Sequence, residues 1–315
     1  MFKIIIRRLG LGLITLWVVS MMVFAATEIL PGDVATAILG KQATPEMIDK
    51  VHKELGLDRP AVVRYTQWLK GLVTGDLGNS LASGRKISQL IGERLGNTIL
   101  LAVLTAMFAV PLSITLGLIS AMFPGSYFDR TVSTGALCIV SVPEFFIGVL
   151  LVFIFSVNLH WLPALAMPTG RTGLFELIRS LALPIITLTG AIMAHMTRMT
   201  KASVLNVLSS PYIEMAILKG VPRKTIILTH ALPNALSPIF NVVALNMAYL
   251  ISGVVIVETI FAYPGLAKLM VDAVTTRDIP LVQACAMIFC TTYVGLNLLA
   301  DLFSTISNPR IRYLK

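Results

Sequence analysis

The sequence predicts an all-α membrane protein with six transmembrane helices. Of its 315 residues, 56% are hydrophobic and only 13% are charged, and the mean hydropathy is +0.83. Soluble domains are about one-quarter charged, so a soluble globular protein is excluded. A disordered chain is excluded as well, because it requires low hydrophobicity and high charge. Six apolar runs are long enough for a helix to cross a ~30 Å hydrocarbon core, and only a helix satisfies its backbone within one such run.

The six predicted spans follow one another along the whole chain. The first begins after Lys3, Arg7 and Arg8 and resembles a signal peptide, but its apolar stretch exceeds the roughly 7–15 residues of a signal-peptide core. We therefore expect a retained first helix. The predicted spans are Leu9–Ile29, Thr98–Phe123, Val132–Val157, Leu181–Met199, Leu236–Val257 and Ile279–Phe303.

The net charge of +9 is concentrated on one side of these spans. With the N-terminus inside, the inner segments hold twelve Lys and Arg residues against Asp129 and Glu214, a balance of +10, whereas the outer segments total +1. Membrane proteins concentrate Lys and Arg on the cytoplasmic side. The charge therefore predicts cytoplasmic N- and C-termini, and it needs no nucleic-acid partner. The inner segments are 1–8, 124–131, 200–235 and 304–315, together with Arg198.

The longest outer segment, 30–97, is predicted to form a small helical cap. Thr44, Pro45 and Glu46 have the pattern of a helix start, and Gly56 has that of a stop. A second helix is expected from Pro60, and a third, over 87–95, leads into the second span. Two roles remain open for the cap: packing the spans together, or docking an external partner.

The inner segment 200–235 is predicted to form a helix–turn–helix hairpin. A short helix over 212–219 ends at Gly220, and a second helical stretch covers 223–231 before Leu232-Pro233. Such a hairpin is either a docking element or a plain solvated connector.

The chain carries no pattern that indicates catalysis. It has no G-x-x-x-x-G-K-[ST] phosphate loop, no H-E-x-x-H and no G-x-S-x-G elbow. Its four histidines are scattered, and Cys138, Cys285 and Cys290 all lie in apolar runs. We therefore expect no enzyme activity, no metal site and no cofactor bound by this chain.

One acidic residue, Glu144, lies centrally in a predicted span, directly after Pro143. Pro143 removes a backbone donor and permits a kink. Glu144 either lines a substrate path, binds a cation, or pairs with a polar group of a neighbouring subunit. An isolated charge facing lipid would cost at least ~2.5 kcal/mol, so we expect it to face protein or water.

The hairpin resembles the "EAA" loop of permease subunits in bacterial binding-protein-dependent ABC importers. The matching residues are Glu214-Met215-Ala216, Gly220 and Leu232-Pro233. Met215 replaces the usual middle alanine, and His230 stands where the pattern has isoleucine. Neither departure removes the helix–glycine–helix shape.

Further motifs along nearly the whole chain resemble the first ("B") permease of the dipeptide/oligopeptide/nickel importer family. Each motif is weak alone, but they occur together and in the family's order. They are 30–33 (LPGD), 55–60 (LGLDRP), 75–80 (GDLGNS), 141–143 (SVP), 258–266 (ETIFAYPGL), 277–280 (RDIP) and 308–312 (NPRIR).

The resemblance implies the fold of a type I ABC importer permease and a set of partners. These are a homologous second permease, two cytoplasmic ATPases that use ATP and Mg²⁺, an external substrate-binding protein, and the lipid of the bacterial inner membrane. The chain would form half of a pathway for di- or oligopeptides or a related small solute. The predicted segments are 1–29 (first helix), 30–97 (cap), 98–303 (five-helix core) and 304–315 (tail).

The resemblance also assigns roles to individual residues. The loop that couples transport to the ATPases would use Glu214, Ala216 and Gly220, flanked by Lys219, Arg223 and Lys224. Docking of the binding protein, or the structure of the outer cap, would involve Asp33, Asp76, Tyr263 and Asp278.

Two rival functions remain at this point, a stand-alone secondary transporter and a membrane scaffold without a transport path. A secondary transporter is expected to show repeated halves with interrupted helices, and no matching halves are visible. The central Glu144 argues against a scaffold. The sequence does not select among dipeptides, oligopeptides, glutathione, nickel chelates and some sugars as substrate.

Overall fold

The computed structural model describes residues 2–29, 44–56, 58–166, 173–252 and 254–307. Over these ranges the chain is helical, and the only β-type pairing is an isolated bridge between Asn79 and Lys86. The helices are α1 (Phe2–Ile29), α2 (Pro45–Leu55), α3 (Ala61–Thr74), α4 (Ile87–Met122), α5 (Tyr127–Ser141), α6 (Glu144–Leu151, continued by a π-helical stretch, Val152–Asn158), α7 (Leu174–Leu208), α8 (Pro211–Leu218), α9 (Arg223–Thr225, continued by a π-helical stretch, Ile226–Ala231), α10 (Leu232–Ser252), α11 (Val255–Ile260), α12 (Leu266–Thr275) and α13 (Ile279–Ser307).

Among the described residues, five helical stretches are long and apolar enough to cross a membrane, and the count becomes six if the bent pair α5–α6 is one span. The chain is therefore a mostly helical, multi-pass membrane protein. The third predicted span, 132–157, is not one kinked helix, because α5 and α6 meet at an angle of 97°. Val142 lies at φ −103° and ψ 129°, the extended conformation that a following proline imposes.

The predicted short helices of 44–97 are present. Thr44 caps α2 by accepting a hydrogen bond from the Met47 backbone N–H at 3.4 Å, and α2 ends at Gly56 in the left-handed conformation (φ +64°). The third predicted helix is the first part of α4, which continues without interruption into the second span.

The chain divides into two compact units. The first comprises Met1–Arg8, Ile99–Tyr263 and Gly295–Lys315, and the second comprises Leu9–Thr98 and Pro264–Val294. The predicted segment boundaries at 29, 97 and 303 stay predictions.

The core of the first unit forms around α7, which packs mainly against α10 and α5. Buried side chains such as Leu188, Ile192 and Met196 line its inner face. Gly117 on α4 lies so close to α7 that a Cβ atom there would be 2.7 Å from the Thr200 Cβ. Lys201 on α7 also forms an ion pair with the buried Asp129 on α5.

In the second unit, α3 packs on the end of α1. Tyr65 and Trp68 contact the ring of Phe24, with ring centroids 5.4 and 6.0 Å from it. The Arg64 guanidinium forms an ion pair with Glu28 at 2.6 Å. Aromatic packing and one ion pair therefore fix α3 against α1.

Candidate functional site

The predicted hairpin is present, and we use this term for residues Pro211–Ala231. Gly220 closes α8 in the left-handed conformation, with φ +75°. Its N–H donates to the Ile217 carbonyl at 2.9 Å, and the Val221 N–H donates to the Ala216 carbonyl at 3.1 Å. These two bonds form a Schellman motif, in which glycine avoids the steric cost of a Cβ atom. Gly220 therefore fixes the direction in which the chain leaves α8.

A few buried side chains seat the hairpin on the helices of the first unit. Ile213 on α8 is fully buried, as are Ile227 and Ala231 on the returning arm. Ile227 and Ala231 belong to a cluster that also includes Val204 of α7. The hairpin is thus anchored along its inner side.

The second helical stretch of the hairpin, which we call the returning arm (223–231), is present as predicted, but it does not end before Leu232-Pro233. It passes through a π-helical stretch and continues without interruption into α10. The Tyr212 hydroxyl and the Asn234 side-chain amide both donate to the His230 carbonyl, at 3.4 and 2.8 Å. Wide π-helical turns are frequent at functional sites.

The face of the hairpin that is turned away from the neighbouring helices carries both apolar and charged side chains. The exposed fractions of Met215, Ile217 and Leu218 are 55%, 58% and 75%. The predicted coupling residues lie beside them: Ala216 is half-buried, and the others, Glu214, Lys219, Gly220, Arg223 and Lys224, are exposed.

Sequence reasoning did not select Met215, Ile217 and Leu218. The signal was present, because every residue of Pro211–Leu218 except Glu214 is hydrophobic although the stretch lies between two predicted spans. A helix with so many apolar side chains is usually covered on more than one side. The neighbouring helices fully bury only Ile213 in this stretch.

The predicted pathway residues Pro143 and Glu144 lie at the bend between α5 and α6. The Tyr249 hydroxyl of α10 donates a hydrogen bond to Glu144 Oε2 at 2.5 Å. Glu144 Oε1 is buried and has no hydrogen-bond partner within the part of the chain that the structure describes. Irregular backbone at membrane depth is tolerated only against protein or a water-filled cavity. The expectation that the bend and the carboxylate face protein or water stays a prediction.

Asp278 is buried at the start of α13, in what we call the Asp278 junction (residues 78–86 and 276–281). The Ser80 hydroxyl donates to Oδ2 at 2.5 Å, and the Leu81 N–H donates to Oδ1 at 3.1 Å. The Leu281 N–H donates to Oδ1 at 3.4 Å, so Asp278 also caps α13. This carboxylate joins two loops that are 198 residues apart in sequence.

The other outer residues lie in different surroundings. Asp76 is exposed and accepts a hydrogen bond from the Gly78 N–H at 3.2 Å. Tyr263 is fully buried, and burial together with the Glu258 carboxylate raises the pKa of its hydroxyl. Asp33 and the tail from 308 lie outside the described residues. No three His, Cys, Asp or Glu side chains converge as a metal site in the described ranges.

Two family models together match nearly the whole chain. The binding-protein-dependent transport system inner membrane component model matches residues 113–313, and the model of the N-terminal region of such membrane components matches residues 1–102.

Individual relatives agree with these matches. A Brucella abortus protein named as a peptide transport system permease is 38% identical over 99% of this chain and 100% of its own length. The glutathione transport system permease of Escherichia coli K12 is 36% identical, with the same coverage of both chains. A structure of the MetNI methionine ABC transporter in inward-facing conformations superposes with a TM-score of 0.55, covering 70% of this chain and 97% of that chain. Its sequence identity of 16% limits that similarity to the fold.

Proposed function

Because this chain belongs to the family of binding-protein-dependent transport system inner membrane components, and is a permease subunit of an ATP-driven importer, we propose that it forms half of a translocation pathway. The cargo is a di- or oligopeptide, or a related small solute, delivered by an external binding protein. The peptide and glutathione permeases among its relatives support this substrate class.

The proposed topology has six spans in the bacterial inner membrane, with α5 and α6 forming one bent span. Both termini, the tail 304–315 and the hairpin lie in the cytoplasm, and the helices of 30–97 form the outer cap. The support is the charge balance of +10 on one side against +1 on the other.

The proposed partners are a homologous second permease, two cytoplasmic ATPases and the binding protein, with membrane lipid around the spans. ATP and Mg²⁺ act in the ATPases, so this chain is not itself an enzyme. It supplies half of the wall of the translocation pathway, together with the element that transmits movement between the ATPases and this pathway.

The hairpin is the proposed coupling element, and its outer surface carries this proposal. Met215, Ile217 and Leu218 are exposed, and the neighbouring helices do not cover them; in the proposed topology they lie in the cytoplasm, away from lipid. Large exposed apolar groups in a polar surround mark interaction sites. Glu214, Lys219, Arg223 and Lys224 would add charged contacts at the rim of a groove in an ATPase.

The mechanism that follows uses the hairpin as a lever. Closure of the two ATPases moves the hairpin, and the anchor at Ile213 and Ile227 passes the movement to α7 and α10. The spans rock against the second permease and open the pathway outward, and release of the ATPases restores the inward-facing state. Such coupling requires nucleotide and cargo to bind the two states with different affinities.

Pro143 and Glu144 are the proposed pathway residues on this chain. Pro143 is exposed at the 97° bend, and Glu144 accepts a hydrogen bond from the Tyr249 hydroxyl. Glu144→Gln keeps the size of the side chain and removes its charge, so we expect uptake to fall while assembly with the partners is retained. Unchanged uptake would remove Glu144 from the pathway.

The outer residues separate into two proposed roles. Asp278 and Tyr263, both buried, hold loops in place, whereas the exposed Asp76 is the better candidate for contact with the binding protein. Asp33 keeps the same candidate role on the basis of its sequence motif alone.

The test is purification of the tagged chain from its host in mild detergent, with identification of the co-purifying subunits. We expect a second permease and one or two ATPases at stoichiometric yield. Gly220→Asp and Glu214→Lys should lose the ATPases and uptake, whereas Glu93→Lys, an exposed charge reversal outside the hairpin, should retain both. Full uptake and ATPase binding in both hairpin variants would overturn the coupling assignment.

A further inference from the structure

The first unit contains an open cavity of about 440 Å³ between the end of α6 and the first turns of α7. Two apolar residues and five polar ones line it, and the polar ones are Ser156, His160, Glu176, Arg179 and Ser180.

We propose that this cavity is a ligand site in addition to the pathway residues Pro143 and Glu144. It takes a short zwitterionic peptide, with the terminal carboxylate of the peptide on Arg179 and its terminal ammonium on Glu176. This inference rests on the proposed function.

The Arg179 guanidinium is held in place and still has donors to offer. Its Nε and Nη2 both donate to the Trp161 carbonyl, at 3.3 and 3.1 Å. A guanidinium has five N–H donors in a fixed plane. No other acceptor takes the remaining three within the described residues, so they can bind a carboxylate, whose two oxygens match a planar fork.

Glu176 supplies the opposite charge on the same face of α7. It lies three residues before Arg179, and positions three apart on a helix are neighbours. Both side chains are exposed, and no ion pair between them is found in the described part of the chain. Arg179 is instead turned to the Trp161 carbonyl. The two charges therefore stand side by side without neutralising each other.

His160 forms the opposite wall in a backbone conformation that non-glycine residues seldom adopt. Its φ is +57°, and its Nδ1 lies 3.2 Å from the Asn158 carbonyl. Residues in such conformations cluster at ligand sites. Here the conformation places the π-helical end of α6 and the Trp161 carbonyl beside α7.

Size and charge separation select short peptides. Cβ atoms three positions apart on a helix are about 5–6 Å apart, and an extended chain spans about 3.3–3.6 Å per residue. The termini of an extended dipeptide or tripeptide therefore match the spacing of the two charges, whereas those of a longer extended peptide lie too far apart. The cavity volume lies within the roughly 300–1,000 Å³ that is usual for small-ligand sites.

The residues that line the cavity lie at the end of the third span, in the following connection and at the start of the fourth span. The proposed topology therefore places the cavity on the outer side of the membrane, where the cargo leaves the binding protein. A site there would hold the peptide between its release and its entry into the pathway.

The test is cysteine protection in the complete transporter, with Cys138, Cys285 and Cys290 replaced and Ser156→Cys introduced. We expect a zwitterionic dipeptide at millimolar concentration to slow labelling by a thiol reagent, whereas the same dipeptide blocked at both termini does not. Arg179→Gln should weaken this protection about tenfold, because a charge-assisted hydrogen bond is lost. Thr74→Cys, exposed at the end of α3, is the control that labels without protection. Labelling of Ser156→Cys that ignores the dipeptide would overturn the site.

Uptake into proteoliposomes separates this inference from the proposed function. If the proposed function is wrong, the unmodified transporter takes up no peptide. If only the cavity assignment is wrong, the unmodified transporter takes up peptide and Arg179→Gln has the same maximal rate. We expect Arg179→Gln to lower the maximal rate at saturating binding protein, whereas Lys70→Gln, an exposed outer residue away from the cavity, leaves it unchanged.

Discussion

The hairpin and the Asp278 junction both lie outside the predicted spans and both carry a conspicuous acidic residue, yet they are built in opposite ways. In the hairpin the charged side chains point outward and apolar side chains remain uncovered. In the junction the carboxylate is buried and saturated by donors from two loops. The hairpin therefore leaves apolar side chains uncovered, whereas the junction buries its carboxylate and joins two distant segments of the chain.

The difference lies in which groups are left unsatisfied. A buried carboxylate is costly unless donors surround it, so the junction is specified from within the chain. Exposed apolar groups lose nothing within the fold and gain only when a second surface covers them. The apolar surface of the hairpin would therefore gain stability from the proposed ATPase contact, whereas the carboxylate of the junction is already satisfied by hydrogen bonds within the chain.

The largest effect is expected from Asp278→Ala. It leaves the Ser80 hydroxyl and the Leu81 and Leu281 N–H groups without their acceptor, so we expect a loss of about 3 kcal/mol or more in the free energy of unfolding. The midpoint of thermal unfolding in detergent measures this loss. An unchanged midpoint would mean that the hydrogen bonds of Asp278 do not stabilise the fold.

The next effect is expected from Leu218→Asp, which alters the hairpin surface without touching the core. We expect ATPase binding to weaken by about 2 kcal/mol, as for a buried contact at the centre of an interface, while the unfolding midpoint stays the same. Binding is measured by titrating purified ATPase onto the permease pair. Val62→Asp, an equally exposed apolar site on α3, is the matched control and should bind normally. Equal loss in both variants would point to a general effect of added charge.

A smaller effect is expected from Gly220→Ala, which places a Cβ atom at φ +75°. The strain costs about 1 kcal/mol, and it acts on the direction of the hairpin arm. We expect uptake to fall more than the unfolding midpoint does. Gly96→Ala, at an open helical position, should lower neither. Normal uptake by Gly220→Ala would show that the turn tolerates other geometries.

The smallest effect is expected from Asp76→Ala, which removes one exposed hydrogen bond to the Gly78 N–H. We expect a loss of about 0.5 kcal/mol in unfolding free energy. A loss as large as that of Asp278→Ala would mean that the loop around Asp76 stabilises the fold as much as the buried Asp278 carboxylate does. Calorimetry on the two purified variants makes this comparison directly.

The helices were predictable from sequence because hydropathy and end signals are local. Thr44, Gly56 and Gly220 mark ends that the structure confirms. The right-angle bend at Pro143 was only partly predictable, since proline breaks a helix but does not set the angle of the break.

The contacts of the candidate site were not predictable in the same way. The hydrogen bond between Tyr249 and Glu144 and the one between Ser80 and Asp278 join residues 105 and 198 positions apart. No local pattern encodes such pairs. The exposed Leu218 was also missed, because burial depends on the neighbouring helices rather than on the residue itself.

The close approach of α4 and α7 at Gly117 has a mechanical consequence. A single methyl group there would overlap Thr200 and the Thr197 carbonyl, so at this point the backbone of α4 lies directly against α7. Helices that cross this closely cannot slide past each other at the crossing without a clash. In the proposed mechanism, a displacement delivered at the hairpin, just beyond the end of α7, would therefore carry this part of α4 along with α7.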